Sequence, residues 1–323
     1  MTEFEGSAGD KVVWAYRYLL NREPESEDVV KMHLDLASSW RELRNNITNS
    51  LEYSTVNGVI DRWMVAPVFG DQRLLWVNMH DRFVSTACAS DAYEPDNSEV
   101  FRRLVRPGEV VVDLGGNVGW FTMLANTLVG PTGHVYTFEA HPIIAGYLRR
   151  TIELNRQSAN ITLYEAAVWD APGMTHLRWE VDARNPGGSY LVPDENSPLR
   201  VEGSAVRLMT VDSVGLKRVD FIKLDIEGAE PKALAGAATL LSTQRPTILT
   251  EVHGPQLEKV SGSSVEAYFK LLSDFGYRGF GVIGDLTGKL VEASDLAGTE
   301  MTNILFVHQD KVDYVLSRMW PAQ

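Results

Sequence analysis

Val111-Val112-Asp113-Leu114-Gly115-Gly116-Asn117-Val118-Gly119 joins a run of apolar, largely β-branched residues to a cluster of glycines. An apolar stretch follows. This order predicts a buried strand over residues 109–114, a glycine turn, and a helix over 118–129. Glycine tolerates positive φ and lets a backbone pass close to a ligand, and the first amides of the following helix are free to donate. Outward from this unit the alternation repeats. A strand is predicted at 135–139, a helix at 142–155 opened by Pro142, and a third strand at 161–164. Beyond the stretch around Pro186-Gly187-Gly188, strands are predicted at 219–225 and 247–251 with a helix at 229–241 between them. A helix at 264–275 and strands at 277–283 and 303–308 complete the pattern. Such alternation implies an α/β fold, a mostly parallel sheet covered on both faces, with ligands at the carboxyl ends of the strands where strand order reverses.

Glu139 closes the second predicted strand, where a carboxylate can accept both hydroxyls of a ribose. The glycines alone are explained equally by a plain tight turn; paired with Glu139 they favour a bound nucleoside. Charge then chooses which one. A dinucleotide would set its pyrophosphate at the helix N-terminus, where the Asp113 carboxylate repels it, and the full G-x-G-x-x-G arrangement is missing. S-adenosylmethionine carries a sulfonium and an amino cation, which the same carboxylate attracts directly or through water. A methyl donor is preferred to a hydride carrier.

Three segments together resemble the FkbM family of class I methyltransferases. They are Asp113-x-Gly115-Gly116-Asn117-x-Gly119-x-Phe121-Thr122, Phe138-Glu139-Ala140-x-Pro142 and, most specifically, Phe221-Ile222-Lys223-Leu224-Asp225-Ile226-Glu227-Gly228-Ala229-Glu230. The resemblance spans about residues 90–310, and Tyr93-Glu94-Pro95 and Val211-Asp212-Ser213 fit its landmarks. Gly116 stands where many members carry alanine. The resemblance implies a Rossmann-like class I methyltransferase fold with a seven-stranded, mostly parallel sheet and an antiparallel final strand. It implies S-adenosyl-L-methionine as donor, with contacts from Asp113, Gly115, Gly116, Asn117, Gly119, Glu139 and Ala140, and an adenine pocket near Ala167 and Val168. The implied acceptor is a hydroxyl on a sugar, a glycan precursor or a secondary metabolite.

The chemistry is expected from an acidic edge. Asp225 ends the fourth core strand, and a carboxylate at the end of a buried strand needs a partner. Glu227 and Glu230 lie near a helix N-terminus, where acidic side chains are also favoured on purely structural grounds. Glu251 and His253 end the next strand, two positions apart and so on one side of it. Asp225, Glu251 and His253 are the catalytic candidates, His253 first as general acid or base. Asp225, Glu227 and Glu251 are the candidate ligands should a hard cation such as Mg²⁺ or Mn²⁺ bind. An aliphatic hydroxyl needs either a base beside it or a cation on its oxygen before it attacks a methyl group. The stretch 182–204, with Asn185-Pro186-Gly187-Gly188-Ser189-Tyr190, is expected to face the acceptor.

Composition narrows the rest. Across 323 residues, 43 acidic and 30 basic side chains give a net charge of −13, and no run of Lys and Arg supplies a nucleic-acid patch. Cys88 is the single cysteine, which excludes an internal disulfide framework and a Cys-based zinc cluster. No apolar stretch approaches a membrane span and residues 1–10 do not resemble a leader, so a cytoplasmic location is expected. Val13, Tyr16, Leu19 and Leu20, then Val29, Val30 and Leu34, then Trp40, Leu43 and Ile47 recur at helical spacing. They predict a small helical bundle over 1–55, followed by a connecting or lid segment at 56–100 and a methyltransferase domain at 101–323. Tyr16-Arg17-x-Leu19-Leu20-x-Arg22-Glu23, with Ser50-Leu51-Glu52-Tyr53 further on, resembles helical modules found beside bacterial glycan-modifying enzymes. Such a bundle could dock a partner, join two copies of the chain, or simply pack. Methylation of a peptide amide or amine, and a non-catalytic protein that senses the donor, are the alternative functions.

Overall fold

The computed structural model describes residues 7–20, 22–37, 39, 42–43, 46–47, 63–81, 83–155, 159–179, 188–192, 202–297 and 300–320. The chain divides into two compact units, Met1–Arg62 and Trp63–Gln323. In the first, α1 (Ala8–Ala15) opens with a capping box. The Ser7 hydroxyl accepts from the Asp10 amide, and the Asp10 carboxylate accepts from the Ser7 amide at 2.8 Å. It runs into a π-helical turn, Tyr16–Leu20, and α2 (Glu27–Leu36) follows behind its Ser26 cap. Val12, Ala15, Tyr16, Leu20, Leu43 and Ile47 share one buried cluster. Trp40 and residues 50–53 lie outside the described residues.

The second unit begins with an antiparallel hairpin, β1 (Trp63–Val68) and β2 (Arg73–Asn78), then α3 (Ser85–Ala89) and α4 (Pro95–Leu104). Residues 63–100, part of the 56–100 stretch expected as a connecting or lid segment, fall within this second unit. Val68, Leu75, Val77, Val100 and Phe101 are buried in its core. Next come β3 (Val110–Leu114), α5 (Trp120–Val129), β4 (His134–Phe138), α6 (Pro142–Leu154) and β5 (Ile161–Tyr164). Then β6 (Ala167–Val168), β7 (Gly173–Trp179), β8 (Tyr190–Val192) and β9 (Glu202–Met209) build a separate sheet in the order β6-β9-β7-β8. The main sheet resumes with β10 (Phe221–Leu224), α7 (Glu230–Ala235), α8 (Ala238–Gln244), β11 (Thr247–His253), α9 (Gly254–Ser261) and α10 (Val265–Asp274). It ends with β12 (Tyr277–Gly281), β13 (Leu290–Val291), β14 (Met301–His308) and α11 (Val312–Met319).

The main sheet has the order β13-β12-β14-β11-β10-β3-β4-β5. Its centre, β11-β10-β3-β4-β5, is parallel, while β14 runs antiparallel to both β11 and β12. The described sheet therefore has eight strands, where seven were expected. The addition is the two-residue β13, which extends the edge by pairing Val291 with Gly279 and Leu290 with Phe280. Strand residues alternate between two cores. Val111, Phe221, Leu249 and Leu305 face α4, α5 and α11, whereas Val112, Ile222, Ile248 and Phe306 face α7 to α10. Burial on both faces explains why these strands read as continuous apolar runs.

Other departures from the expected elements have local causes. The helix expected at 229–241 is broken into α7 and α8 at Gly236, whose α-carbon sits against the Trp169 carbonyl so closely that a Cβ would collide with it. The second sheet was not foreseen, because its strands flank the Gly/Pro-rich stretch that reads as loop. Strand order reverses between β3 and β10, since β4 and β5 lie to one side and β11 to the other. The carboxyl ends of those two strands are where a ligand crevice is expected.

Candidate active site

Backbone geometry builds one wall. Gly115 follows β3 with φ +88°, and a Cβ there would run into the carbonyl oxygen of Asp225. Gly116 lies similarly close to the Thr137 hydroxyl. Only residues without a side chain let the turn pass between the ends of β10 and β4. Asn117 takes the left-handed conformation at φ 47°. Its amide donates to Glu139 Oε2 at 2.8 Å while the His141 amide donates to Glu139 Oε1 at 2.7 Å. Glu139 thus clamps the glycine turn to the end of β4. Burial pushes its carboxyl up to about 7 even though these amides favour the charged form.

Side chains build the other wall. Asp225 continues β10, and its carboxylate Oδ2 accepts from the Lys223 ammonium at 2.9 Å. Glu251, on the neighbouring β11, is pushed up to about 9 by burial and by the Asp225 carboxylate. Glu227 is raised to about 7 for the same two reasons. Its backbone sits at φ 54° before Gly228 at φ +94°, the sharp turn into α7. Glu230 also rises to about 7 through burial, but it accepts from the Ile226 amide at 2.9 Å and serves to close that turn.

Between the walls lies a cavity of about 340 Å³. Gly115, Gly116, Asn117, Glu139, Ala140 and Ala167 line it, as do Asp225, Glu227 and Glu251. The second sheet covers part of it with Leu177, Ser189 and Leu191. Those last two belong to the expected acceptor-facing stretch, of which residues 188–192 and 202–204 are described.

Several expected residues are placed elsewhere. Asp113 is 1 % exposed and does not line the cavity. Its Oδ2 accepts from the Thr122 hydroxyl at 2.6 Å, its Oδ1 has no hydrogen-bond partner among the described residues, and burial raises its carboxyl to about 6. The electrostatic cradle expected of it is therefore indirect. Gly119 also stays behind the wall, since a Cβ there would meet Leu148. His253 does not reach the cavity: at the end of β11 it becomes the N-cap of α9 and pairs with Met301 of β14. The expected convergence of Asp225, Glu251 and His253 is reduced to the two carboxyls. Among the described residues no group of three or more His, Cys, Asp or Glu side chains is disposed to hold a metal ion. Asp225, Glu227 and Glu251, the candidate ligands should a cation bind, line the cavity without forming such a group, and one Asp225 oxygen is paired with Lys223.

Two parts of the site are not signalled by the glycine turn or the acidic edge. Tyr93 and Glu94 line the cavity from the loop before α4. Glu94 holds a left-handed backbone, φ 42°, and its Oε2 accepts from the Asn97 side-chain amide at 2.5 Å. A non-glycine residue in that region, fixed by a side-chain bond, is the kind of strain that collects at functional sites. Burial pushes the Tyr93 hydroxyl well above its ordinary value. Lys223 supports Asp225 from within β10, and a lysine in the middle of an apolar strand is the sequence signal for such a role.

The family model of the methyltransferase FkbM domain matches residues 113–278. The chain belongs to the FkbM methyltransferase family. It is similar to the 31-O-demethyl-FK506 methyltransferase FkbM of Streptomyces tacrolimicus, 28% identical over 177 residues that cover 46% of this chain and 67% of that one. It is also similar to methyltransferase sdnD of Sordaria araneosa, 27% identical over 156 residues, 39% of this chain and 59% of that one. Among solved structures, an FkbM methyltransferase from Methylobacillus flagellatus aligns with 93% of this chain and 60% of its own, with a TM-score of 0.41 at 14% identity. The chain thus spans about six tenths of the length of the last two. The matched domain contains the glycine turn, Glu139, Asp225, Glu227 and Glu251 of the cavity. No helix among the described residues is long and apolar enough to cross a membrane.

Proposed function

We propose that this FkbM-family chain binds S-adenosylmethionine between the glycine turn and the acidic wall and methylates a hydroxyl on a sugar, glycan precursor or secondary metabolite. The observation that carries this reading is that Gly115, Asn117, Glu139 and Asp225, from three neighbouring strand ends, line one cavity. The residues fit the donor. The turn is cleared of side chains, Glu139 is held at the edge with an acceptor oxygen on each side, and the cavity lies within the size range of small-molecule sites. Acidic lining suits a cationic cofactor.

When bound, the donor supplies an electrophilic methyl group on a sulfonium. The chain's own residues bind, orient and move a proton. The glycine turn and Glu139 hold the nucleoside end, and the buried walls exclude water from the reacting centre. Asp225, fixed by Lys223, presents its remaining oxygen as hydrogen-bond acceptor for the attacking hydroxyl. Glu251, protonated at neutral pH, donates to an oxygen of the acceptor instead of competing for its proton. Alignment of the two reactants contributes the larger share, of the order of 7 to 11 kcal/mol, and the carboxylate adds roughly 10²- to 10⁴-fold.

Incubation with donor carrying a labelled methyl group, acceptor-containing extracts and mass spectrometry of hydrolysed products tests this. Label in a hydrolysis-resistant ether on a hydroxyl supports the reading. Label found only on nitrogen replaces it with amide or amine methylation.

A further inference from the structure

We infer that Lys223 is a positioning residue that fixes and charge-balances Asp225, and thereby limits how strongly the cavity prefers a cationic nucleoside over its neutral counterpart. This rests on the donor reading above. Lys223 is third in β10, between Asp113 of β3 and Leu249 of β11 in register. Its side chain is 2 % exposed, whereas that of Asp225 is 24 % exposed and lines the cavity. The ammonium donates to Asp225 Oδ2 at 2.9 Å and sits 4.9 Å from the centre of the Phe121 ring. Among the described residues no second donor is placed on Asp225, which leaves its Oδ1 available.

A buried ammonium is costly unless it is paired, so its place needs a reason. The cavity's lining provides one. Glu94, Glu139, Asp225, Glu227 and Glu251 all face it, and none of its described lining residues is lysine, arginine or histidine. Among the described residues the cation paired with this wall is Lys223, which lies behind it under Asp225, while Lys259 acts on Glu227 from further off. Methyl transfer to a neutral hydroxyl dissipates the sulfonium charge as the new bond forms. An unbalanced anionic wall would therefore stabilise the bound donor more than the transition state, which slows the step instead of helping it. The ammonium offsets that field and stops Asp225 from turning to the donor's cation, which keeps its free oxygen for the acceptor.

The test needs no acceptor. Full-length wild type, K223M, K223Q and K223R are titrated calorimetrically with S-adenosylmethionine and with S-adenosylhomocysteine, which lacks the sulfonium charge. The readout is the ratio of the two Kd values. Removing the ammonium makes the site more selective for the cation, so the preference for S-adenosylmethionine rises about tenfold in K223M and K223Q. K223R keeps the charge and stays within about twofold of wild type. K223Q retains a donor for Asp225, so it reports the charge even if K223M fails to fold. Equal weakening of both nucleosides, or an unchanged ratio, makes Lys223 structural and overturns the inference. Wild type that binds neither nucleoside overturns the donor reading and this inference with it.

Discussion

The two walls of the cavity are made differently. The glycine-turn wall is backbone: Gly115 and Gly116 are shaped by what they lack, and both Glu139 oxygens are occupied by main-chain amides. The acidic wall is side chain: one Asp225 oxygen is held by Lys223, and Glu251 has no side-chain hydrogen bond among the described residues. A wall of satisfied backbone is rigid and suits binding a cofactor common to many reactions. Burial raises carboxyls on both walls, Glu139 and Glu227 to about 7 and Glu251 to about 9, but on the acidic wall the Asp225 carboxylate adds its repulsion, a coupling between neighbouring acids that suits reactivity and acceptor choice.

If the walls divide the work, damage to each should be separable. Gly115→Val should have the largest effect. It adds a branched side chain at φ +88° against the Asp225 carbonyl, and we expect a loss of about 3 to 5 kcal/mol in stability together with loss of donor binding. Thermal unfolding and calorimetry with S-adenosylmethionine check both. Asp225→Asn comes next: turnover should fall roughly 10²- to 10³-fold while donor Kd changes by less than about fivefold. The opposite pattern, lost donor affinity with chemistry retained, would assign Asp225 to the donor wall.

This contrast also explains what could be read from the chain. Backbone features leave a strong imprint, because glycine at a strand end and β-branched runs such as Val110 to Val112 have few other uses, so the central strands and the donor turn were legible. Side-chain convergence leaves less. His253 and Glu251 are two apart, yet the strand ends at His253 and turns into α9, a boundary that spacing does not reveal. Asp113 reads as a ligand-facing acid, but β3 directs it under the turn to Thr122. The second sheet was hidden because β7, β8 and β9 are separated by polar, Gly/Pro-rich sequence, and β13 is only two residues long.

A third effect is smaller and concerns pH. Glu227, Glu139 and Glu251 are raised from 4.5 to about 7, 7 and 9, in each case first by burial. A carboxyl whose folded value exceeds its unfolded value binds its proton more tightly when folded. Its contribution to stability is complete below about pH 4.5 and is lost as the pH climbs through the folded value. The ligand-free protein should therefore lose several degrees of melting temperature, about 5 °C, between pH 5 and 9. Glu251→Gln cannot ionise, so the decline above pH 7 should flatten in that variant. An unchanged slope in a pH series of melting curves would place the burden on other groups.

The smallest effect should come from His253, and it is the sharpest check on where the acidic wall ends. His253 stands two residues past Glu251, but its backbone caps α9 without a side-chain capping bond, and its neighbour across the sheet is Met301. His253 is not a lining residue, and its link to the cavity is the backbone pairing with Met301, which does line it and which an alanine leaves in place. His253→Ala should leave turnover and donor Kd within about threefold and stability within about 0.5 kcal/mol. The informative comparison is its pH profile against that of Asp225→Asn. A limb of the profile lost in His253→Ala alone would mean that the imidazole swings into the cavity once donor and acceptor are bound, and the wall would then extend to the end of β11.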